Sequence, residues 1–177
     1  MSTKFEKVKK KVVAQEQLLA TIKTWKTNNQ KVVFTNGVFD LLHRGHIEYL
    51  AQTADFGDRL IVAVNADVSV KRLGKGDSRP LQDESSRALI IAALEFVDAV
   101  VIFDTDTPLE MIAAIKPDVL VNWAGVFPED LPEDKLMLHN SLQHIFVLGK
   151  QDQYWTDTSK IDAYMLKLKE QFNNFTF

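Results

Sequence analysis

The chain has 177 residues, a formal net charge of −3 and no cysteine. This length accommodates one α/β domain with a substantial core, but not two full domains. The acidic balance does not favour nucleic-acid binding, the lack of cysteine excludes disulfides and thiolate sites, and no apolar run approaches the ~20 residues that span a bilayer. Composition therefore predicts one soluble cytoplasmic domain, residues 1–177, that binds neither nucleic acid nor membranes.

Residues 1–30 are predicted to form an N-terminal helical extension. The segment begins with a basic run, and apolar residues then recur with the spacing of one helix face at Leu18, Leu19, Ile22 and Trp25. Because glutamates are interspersed with the lysines, a solvated helix face is favoured over a surface that binds anions.

Residues 32–54, VVFTNGVFDLLHRGHIEYLAQTA, are the most informative stretch of the chain. A β-branched apolar run is followed by a polar turn at 35–37, by two histidines around a glycine, and by an amphipathic run. The pattern predicts a strand, a loop and a helix, with His46 in the first helical turn and His43 just outside it.

This arrangement favours a site that handles phosphate. A helix N-terminus exposes unpaired N–H groups and the positive end of the helix dipole, so it attracts phosphate. Gly45 lets a phosphate approach the backbone closely, and His43 and His46 can donate hydrogen bonds to phosphoryl oxygens. The alternative is that both histidines are ordinary polar loop residues, but their spacing around a glycine directly after a strand favours the phosphate site.

Strands and helices alternate along the remaining sequence. The predicted strands are residues 31–34, 59–64, 97–103, 118–121 and 144–148. This order predicts an α/β protein with a single Rossmann-like, doubly wound, five-stranded parallel sheet and helices on both faces. Ligands bind such sheets outside the carboxyl ends of the strands. The segments that follow four of the strands are therefore expected to line one cleft: residues 35–46, 65–77, 104–107 and 122–127.

Helix starts and one basic segment lie between these strands. Asp83 is a predicted N-cap, as is Thr107, which is followed by a proline at the first helical position. Residues 150–177 are predicted to be a C-terminal helix with an aromatic tail. The Lys/Arg/Gly cluster in 68–77 is compatible either with a solvated flexible loop or with a mobile basic lid that closes over phosphates, and the sequence leaves both open.

The central motif resembles a known signature. TNGVFDLLHRGH, at Thr35–His46, is similar to the T-N-G-x-F-D-L-L-H-x-G-H signature of the HxGH nucleotidyltransferases, the cytidylyltransferase-like superfamily. Within residues 15–121 the chain most resembles the adenylyltransferase domain that makes ADP-heptose from heptose 1-phosphate. The further matching segments are Asp58–Asn65, Ser78–Leu81, Arg87, Val97–Phe103, Thr107–Glu110 and Lys116–Val121.

The resemblance implies transfer of a nucleotidyl group, with ATP favoured over CTP, to a small phosphorylated sugar or polyol with release of pyrophosphate. It implies catalytic roles for His43, His46, Lys75 and Arg87 around the triphosphate. It also implies Mg²⁺ that is held mainly by phosphates, without dedicated metal ligands in the protein, and a homodimer. The nucleotide-binding residues that it implies are Thr35, Asn36, Gly37, Phe39, Asp40, Gly45, Asn122, Thr158 and Ser159.

The chain departs from the heptose family after residue 121. Where that family has K-G-G-D-Y, this chain has NWAGVF at 122–127, and where the family opens its last helix with G-x-S-T-T, this chain has WTDTSK at 155–160. These changes concern the acceptor and the base rather than the chemistry. Two alternatives therefore stay open: a cytidylyltransferase of the glycerol-3-phosphate type, and a nucleotide-binding paralogue that has lost its acceptor site.

Overall fold

The computed structural model describes residues 2–73, 79–123 and 144–148. Within these ranges one parallel sheet is formed in the order β3-β2-β1-β4-β5. Its strands are β1 (Val32–Gly37), β2 (Arg59–Asn65), β3 (Ala99–Phe103), β4 (Val119–Trp123) and β5 (His144–Leu148). The predicted five-stranded parallel sheet is confirmed.

Helices cover both faces of this sheet. They are α1 (Lys4–Lys9), α2 (Gln15–Thr27), α3 (Arg44–Ala54), α4 (Asp67–Arg72), α5 (Glu84–Ala92) and α6 (Leu109–Ile115). Side chains alternate between the two faces along each strand, so Phe34 joins a core with α2 and α6, whereas Val33 joins a second core with α3 and α5. The doubly wound arrangement follows from this alternation.

The N-terminal extension is two helices rather than one continuous helix. After α1 the chain becomes extended, and Val12 lies parallel to Val100 of β3. The Val100 N–H donates to the Lys11 carbonyl, and the Val100 carbonyl accepts from the Val13 N–H. Two consecutive β-branched residues favour this extended backbone. The short segment covers the otherwise free edge of β3, where unpaired backbone groups would invite pairing with another chain.

The predicted polar turn at residues 35–37 was wrong. Thr35, Asn36 and Gly37 complete β1, and Gly37 lies in register with Val64 of β2. The ladder with β2 gives these backbone groups partners, and this tertiary context overrides the turn propensity of Asn-Gly. The loop that carries the first histidine therefore begins at Val38, three residues later than predicted.

Of the two predicted N-caps, one is confirmed and one is wrong. Asp83 is confirmed as an N-cap, because its carboxylate accepts from the Ser86 N–H at 2.9 Å. Thr107 is not an N-cap: α6 begins at Leu109, with Pro108 in the cap position. The Thr107 carbonyl instead accepts from the Thr105 hydroxyl at 2.7 Å, which holds residues 105–107 in a local turn.

Part of the predicted basic loop at 68–77 is helical. α4 begins at Asp67 and ends at Arg72, so Lys71 and Arg72 lie on a helix. Arg72 is bonded to Asp106 and to the Asp104 carbonyl in the segment after β3. The rest of the predicted loop, including Lys75, lies outside the described residues, and so do residues 150–177.

Candidate active site

The direction of strand addition reverses at β1. Strands β2 and β3 follow one another on one side of β1, whereas β4 and β5 lie on its other side. The connections at the carboxyl ends of β1 and β4 therefore diverge, and such a switch point is where open α/β sheets bind ligands. The loop from β1 to α3, residues 38–43, leaves the sheet at this point.

Two histidines lie at the N-terminus of α3, as predicted. His46 is in the first turn, and His43 is the N-cap residue with an extended backbone and no side-chain cap hydrogen bond. Their rings are stacked, with centroids 3.9 Å apart and planes at 28°. His43 is exposed and His46 is half-buried. The pair therefore presents two imidazoles at the positive end of an 11-residue helix dipole.

The environment of His46 favours its neutral form. Burial lowers the pKa of the imidazole and the neighbouring His43 lowers it further, whereas a hydrogen bond with the Leu41 backbone acts in the opposite direction. The net result is a pKa below the usual value. A phosphate group placed beside the ring would favour protonation, because a nearby opposite charge stabilises the imidazolium.

Phe39 supports the histidine pair from the side of β1. Its ring meets the His46 ring edge-on at a centroid distance of 5.5 Å, and its backbone has a positive φ of 49°. The same ring covers Gly37 so closely that an added Cβ there would lie 2.9 Å from it. Gly37 is therefore the residue that allows Phe39 to reach His46.

Asp40 organises the polypeptide around the site. Its carboxylate accepts from Arg79 Nη1 at 2.6 Å and from the N–H groups of Leu81 and Gln82 at 2.8 and 3.0 Å. Burial raises the pKa of this carboxyl, but the hydrogen bonds from Gln82, Arg79 and Leu81, with the charge of Arg79, outweigh it and the net pKa is lowered. Asp40 thus anchors the 79–82 segment to the histidine loop, and a direct nucleotide contact by Asp40 stays a prediction.

Arg87 is a fully buried brace. Its guanidinium donates to the Gln82 carbonyl, the Val38 carbonyl and the Asp67 carboxylate at 2.9, 2.7 and 2.6 Å. These contacts join the histidine loop, the start of α5 and the start of α4. The predicted contact between Arg87 and the triphosphate stays a prediction, since the contacts described here are with the protein.

Thr35 does not present its side chain to the cleft. It is fully buried, and its hydroxyl oxygen is 2.6 Å from that of Tyr49, which is also 3.3 Å from the Val121 carbonyl oxygen. Burial raises the pKa of Tyr49, although the hydrogen bonds from threonine hydroxyls oppose this. A nucleotide contact at Thr35 would have to come from the backbone.

The remaining predicted site residues divide between the described and undescribed parts of the chain. Asn36 and Gly37 are half-buried at the carboxyl end of β1, and Gly45 is half-buried in the first turn of α3. Asn122 lies near the carboxyl end of β4, in register with Val147. The positions outside the described residues are Lys75, Thr158 and Ser159.

Sequence reasoning missed two residues of this framework. Arg79 lies in the segment Ser78–Leu81, which resembles the family but to which no function was assigned. The signal that could have identified Arg79 was an Arg-Pro pair directly after a basic run. Tyr49 follows His46 by three residues on the buried face of α3, so the sequence pattern indicated only a core position. Its hydroxyl partners are distant in sequence and left no local signal.

Among residues 2–73, 79–123 and 144–148, no three His, Asp or Glu side chains are grouped to hold a metal ion. No helix in these ranges is both long enough and apolar enough to cross a membrane.

A parallel sheet whose switch point carries paired histidines at a helix N-terminus is suited to binding phosphate groups, and the sequence comparison identifies the domain as a nucleotidyltransferase. Residues 34–154 match the Cytidylyltransferase-like family. The chain belongs to this family.

Curated relatives resemble the chain over most of its length. The bifunctional protein HldE of Azorhizobium caulinodans is 52% identical over 120 residues, which are 68% of this chain and 25% of that protein. HldE of Campylobacter jejuni is 56% identical over 115 residues, which are 65% of this chain and 24% of that protein. HldE of Escherichia coli O1:K1 / APEC is 46% identical over 141 residues, which are 80% of this chain and 29% of that protein. The chain therefore spans about a quarter of the length of these relatives.

Two solved structures share the fold. The lipopolysaccharide core biosynthesis protein from Thermoplasma volcanium has a TM-score of 0.60 and 31% identity, over 70% of this chain and 99% of that one. Pantoate-beta-alanine ligase from Francisella tularensis, complexed with beta-gamma ATP and beta-alanine, has a TM-score of 0.56 and 14% identity, over 88% and 77% of the two chains. The second likeness concerns the fold alone.

Proposed function

We propose that this chain transfers the adenylyl group of ATP to the phosphate of a sugar or polyol phosphate, as in ADP-heptose synthesis. The observation that carries the proposal is the stacked pair of His43 and His46 at the N-terminus of α3, at the switch point of the sheet. The identity with HldE proteins supports ATP and a sugar phosphate as the substrates.

The reaction does not need a strong general base. A phosphate monoester has a second pKa of about 6, so the acceptor is already an anion at pH 7. One of its oxygens attacks the α-phosphorus, the bond from that phosphorus to the bridging oxygen breaks, and pyrophosphate leaves with the electron pair. The protein therefore has to hold two anions in line and stabilise the charge on the transferring and leaving groups.

The described residues supply groups of this kind. The N-terminus of α3 offers backbone N–H groups and its dipole to a phosphate, and both imidazoles can donate hydrogen bonds to phosphoryl oxygens. Protonation of His46 on phosphate binding would add positive charge where charge develops. In this proposal His43 and His46 contact the α- and β-phosphates, whereas Arg87 and Asp40 keep their loop in place.

Mg²⁺ fits this proposal as an ion carried by the nucleotide. It is a hard cation that retains waters and binds phosphate oxygens. The carboxylates of Asp40 and Asp67 are engaged by Arg79 and Arg87, so phosphate oxygens and water would supply most of the ligands. Its contribution when bound is neutralisation of charge on the triphosphate and on pyrophosphate.

The acceptor is the least constrained part of the proposal. Asn122 stands at the carboxyl end of β4, where the resemblance would place a lysine, and a neutral amide does not replace a cation beside an anion. Weaker binding of the acceptor phosphate than a lysine would give is therefore expected.

The test is pyrophosphate release with Mg²⁺, using ATP and CTP, each with heptose 1-phosphate and glycerol 3-phosphate. We expect release with ATP and the sugar phosphate, and its loss in His46→Ala with the fold intact. Arg44→Ala is the matched control, because Arg44 is on the same helical turn but is exposed and paired with Glu48. Release with CTP and glycerol 3-phosphate would favour the cytidylyltransferase alternative.

Two outcomes would contradict the proposal more deeply. Turnover of His46→Ala within a few-fold of the original protein would remove His46 from the chemistry. Nucleotide binding without release against any acceptor would favour the paralogue that has lost its acceptor site.

A homodimer and a cytoplasmic location also stay predictions. Light scattering on the purified chain tests the first, since a molar mass equal to one chain of 20.1 kDa would contradict the dimer.

A further inference from the structure

We infer that Tyr49 is a positioning residue for the reaction: its hydroxyl ties the N-terminal part of α3 to β1 and β4 and so sets where His46 lies. The inference rests on the proposed function, because it assigns importance to the position of His46. It adds a residue that is outside the histidine signature and does not contact the reacting atoms.

The placement of Tyr49 supports this role. Tyr49 follows His46 by three residues, so the two side chains lie on neighbouring turns of one helix face. Its side chain is directed into the core that α3 forms with the sheet, and the residue is only 4% exposed. Movement of its hydroxyl would therefore be transmitted to the first turn of α3 through less than one turn of rigid helix.

The hydroxyl joins the two strands that flank the switch point. It is 2.6 Å from the Thr35 hydroxyl on β1 and donates to the Val121 carbonyl on β4 at 3.3 Å. Since a phenol has one proton, donation to Val121 requires that Thr35 donates to the Tyr49 oxygen. The chain of bonds therefore runs from Thr35 through Tyr49 to Val121, and all three residues are buried.

These bonds connect the two sides of the proposed reaction. Thr35 precedes the loop that leads to the histidines, whereas Val121 precedes Asn122, where the segment that differs from the heptose family begins. In-line transfer depends on the distance between nucleotide and acceptor, and a displacement of about 1 Å can cost up to ~100-fold in rate. A link from the histidine helix to both strands would hold that distance.

The test removes the hydroxyl in Tyr49→Phe and its partner in Thr35→Val, with Thr35→Ser as the conservative rescue. The matched control is Asp118→Ala. The Asp118 carboxylate, just before β4, accepts from the Val32 N–H of β1 at 2.8 Å, at the amino end of the sheet and away from His46. This variant therefore reports the cost of losing a hydrogen bond between β1 and the start of β4 without the link to α3.

Two readouts distinguish positioning from simple packing. In turnover assays we expect kcat to fall by about tenfold in Tyr49→Phe and Thr35→Val, with the KM for the nucleotide within about twofold, because the displaced interaction acts in the transition state. By NMR on the unliganded protein, the ring resonances and titration midpoint of His46 should shift in both variants. Thr35→Ser should restore most of what Thr35→Val loses, and Asp118→Ala should leave both readouts near those of the original protein.

The double variant, Tyr49→Phe with Thr35→Val, tests whether the two hydroxyls act through the same chain of bonds. Because both changes interrupt the same chain of bonds, the effect of Tyr49→Phe with Thr35→Val should be smaller than the sum of the single effects. Unchanged His46 resonances in Tyr49→Phe and Thr35→Val would overturn the inference, even if both lose stability. Should Tyr49→Phe not fold, Thr35→Val carries the same test.

Failure of the proposed function would look different. In that case the original protein would release no pyrophosphate, yet the NMR comparison could still support or overturn the positional role of Tyr49. If turnover is present and His46 shifts without any fall in kcat, the positioning inference fails while the proposed function stands.

Discussion

The guanidinium of Arg87 is fully buried and donates to the Asp67 carboxylate at 2.6 Å. Arg87 belongs to α5, and Asp67 is in the first turn of α4. The backbone N–H of Asp67 also donates to the Glu84 carboxylate at 2.7 Å. The same guanidinium donates to the Val38 carbonyl of the histidine loop. One buried cation thus holds two helix starts and the loop of the candidate site in a fixed arrangement.

Arg87→Met should therefore destabilise the fold severely. It removes a donor from two carbonyls and from a partly buried carboxylate, and loss of one partner of a buried charged pair costs about 3–5 kcal/mol. Urea unfolding measures this change in the free energy of unfolding. Arg44→Met is the control, because the ion pair of Arg44 with Glu48 is exposed and pairs of that kind contribute about 1 kcal/mol or less. Equal losses in the two variants would contradict the role of Arg87 as a brace.

Asp40 should make the stability of the domain sensitive to acid. Its pKa is lowered in the folded state, so its ionised form stabilises the fold above the unfolded value of about 3.9, and this contribution is lost as the pH falls through the folded pKa. Asp40→Asn should therefore reduce the free energy of unfolding by more at pH 7 than at pH 3.

The comparison requires urea unfolding of both proteins at several pH values. In Arg79→Gln the loss of unfolding free energy on acidification should be smaller but still present, because the Leu81 and Gln82 N–H groups still donate to the Asp40 carboxylate. A difference between Asp40→Asn and the original protein that stays constant from pH 7 to pH 3 would show that the carboxylate charge is not involved.

Much of the fold follows from the sequence because its signals are local. Apolar runs such as 59–64 identify buried strands, and the alternation of strands with helices determines a parallel sheet with a switch point. The histidine pair was predictable for the same reason, since a strand, a glycine and two imidazoles are neighbours in the chain. The structure confirms that His46 lies in the first turn of the helix and His43 just outside it.

The features that the sequence did not predict depend on partners that are distant in the chain. Asp40 bonds a segment about 40 residues away, and Tyr49 bonds Val121 across 72 positions. Similarly, the helical extension predicted over residues 1–30 is interrupted where Val12 pairs with Val100 of β3. Propensity and spacing do not specify which side chains of neighbouring segments bond to one another, so these supporting contacts could be identified only in the structure.

Gly37→Ala should disturb the candidate site through Phe39. An added Cβ would lie 2.9 Å from the buried Phe39 ring, and the ring would have to move away from the place where it contacts His46. Overpacking of this kind costs about 1–3 kcal/mol. We expect a loss of stability together with a fall in pyrophosphate release.

Gly57→Ala provides the matched control for that variant. Its Cβ would be 2.7 Å from Val33 Cγ2 and 2.8 Å from the Lys31 carbonyl, so a similar strain arises in the turn after α3, away from the histidines. Gly57→Ala should lose stability while the folded fraction keeps its activity and its His46 resonances. If the two alanine variants lose activity to the same degree, the contact between Phe39 and His46 does not support the site.

The pKa of His46 gives a prediction with a defined sign. Because burial and His43 lower this pKa in the folded state, the folded protein binds fewer protons than the unfolded chain just below pH 6.5, the approximate unfolded value. The free energy of unfolding should therefore fall as the pH drops through this range, and His46→Gln should lessen that fall.

NMR titration of the His46 ring checks the same shift directly. We expect a midpoint below about 6.5 in the free protein, and a higher midpoint in His43→Gln, since that change removes the neighbouring imidazole that lowers the pKa. Binding of ATP should also raise the midpoint, because a phosphate near the ring favours the imidazolium. A midpoint that rises in His43→Gln but does not respond to ATP would confirm the coupling of the two rings and place the triphosphate away from His46.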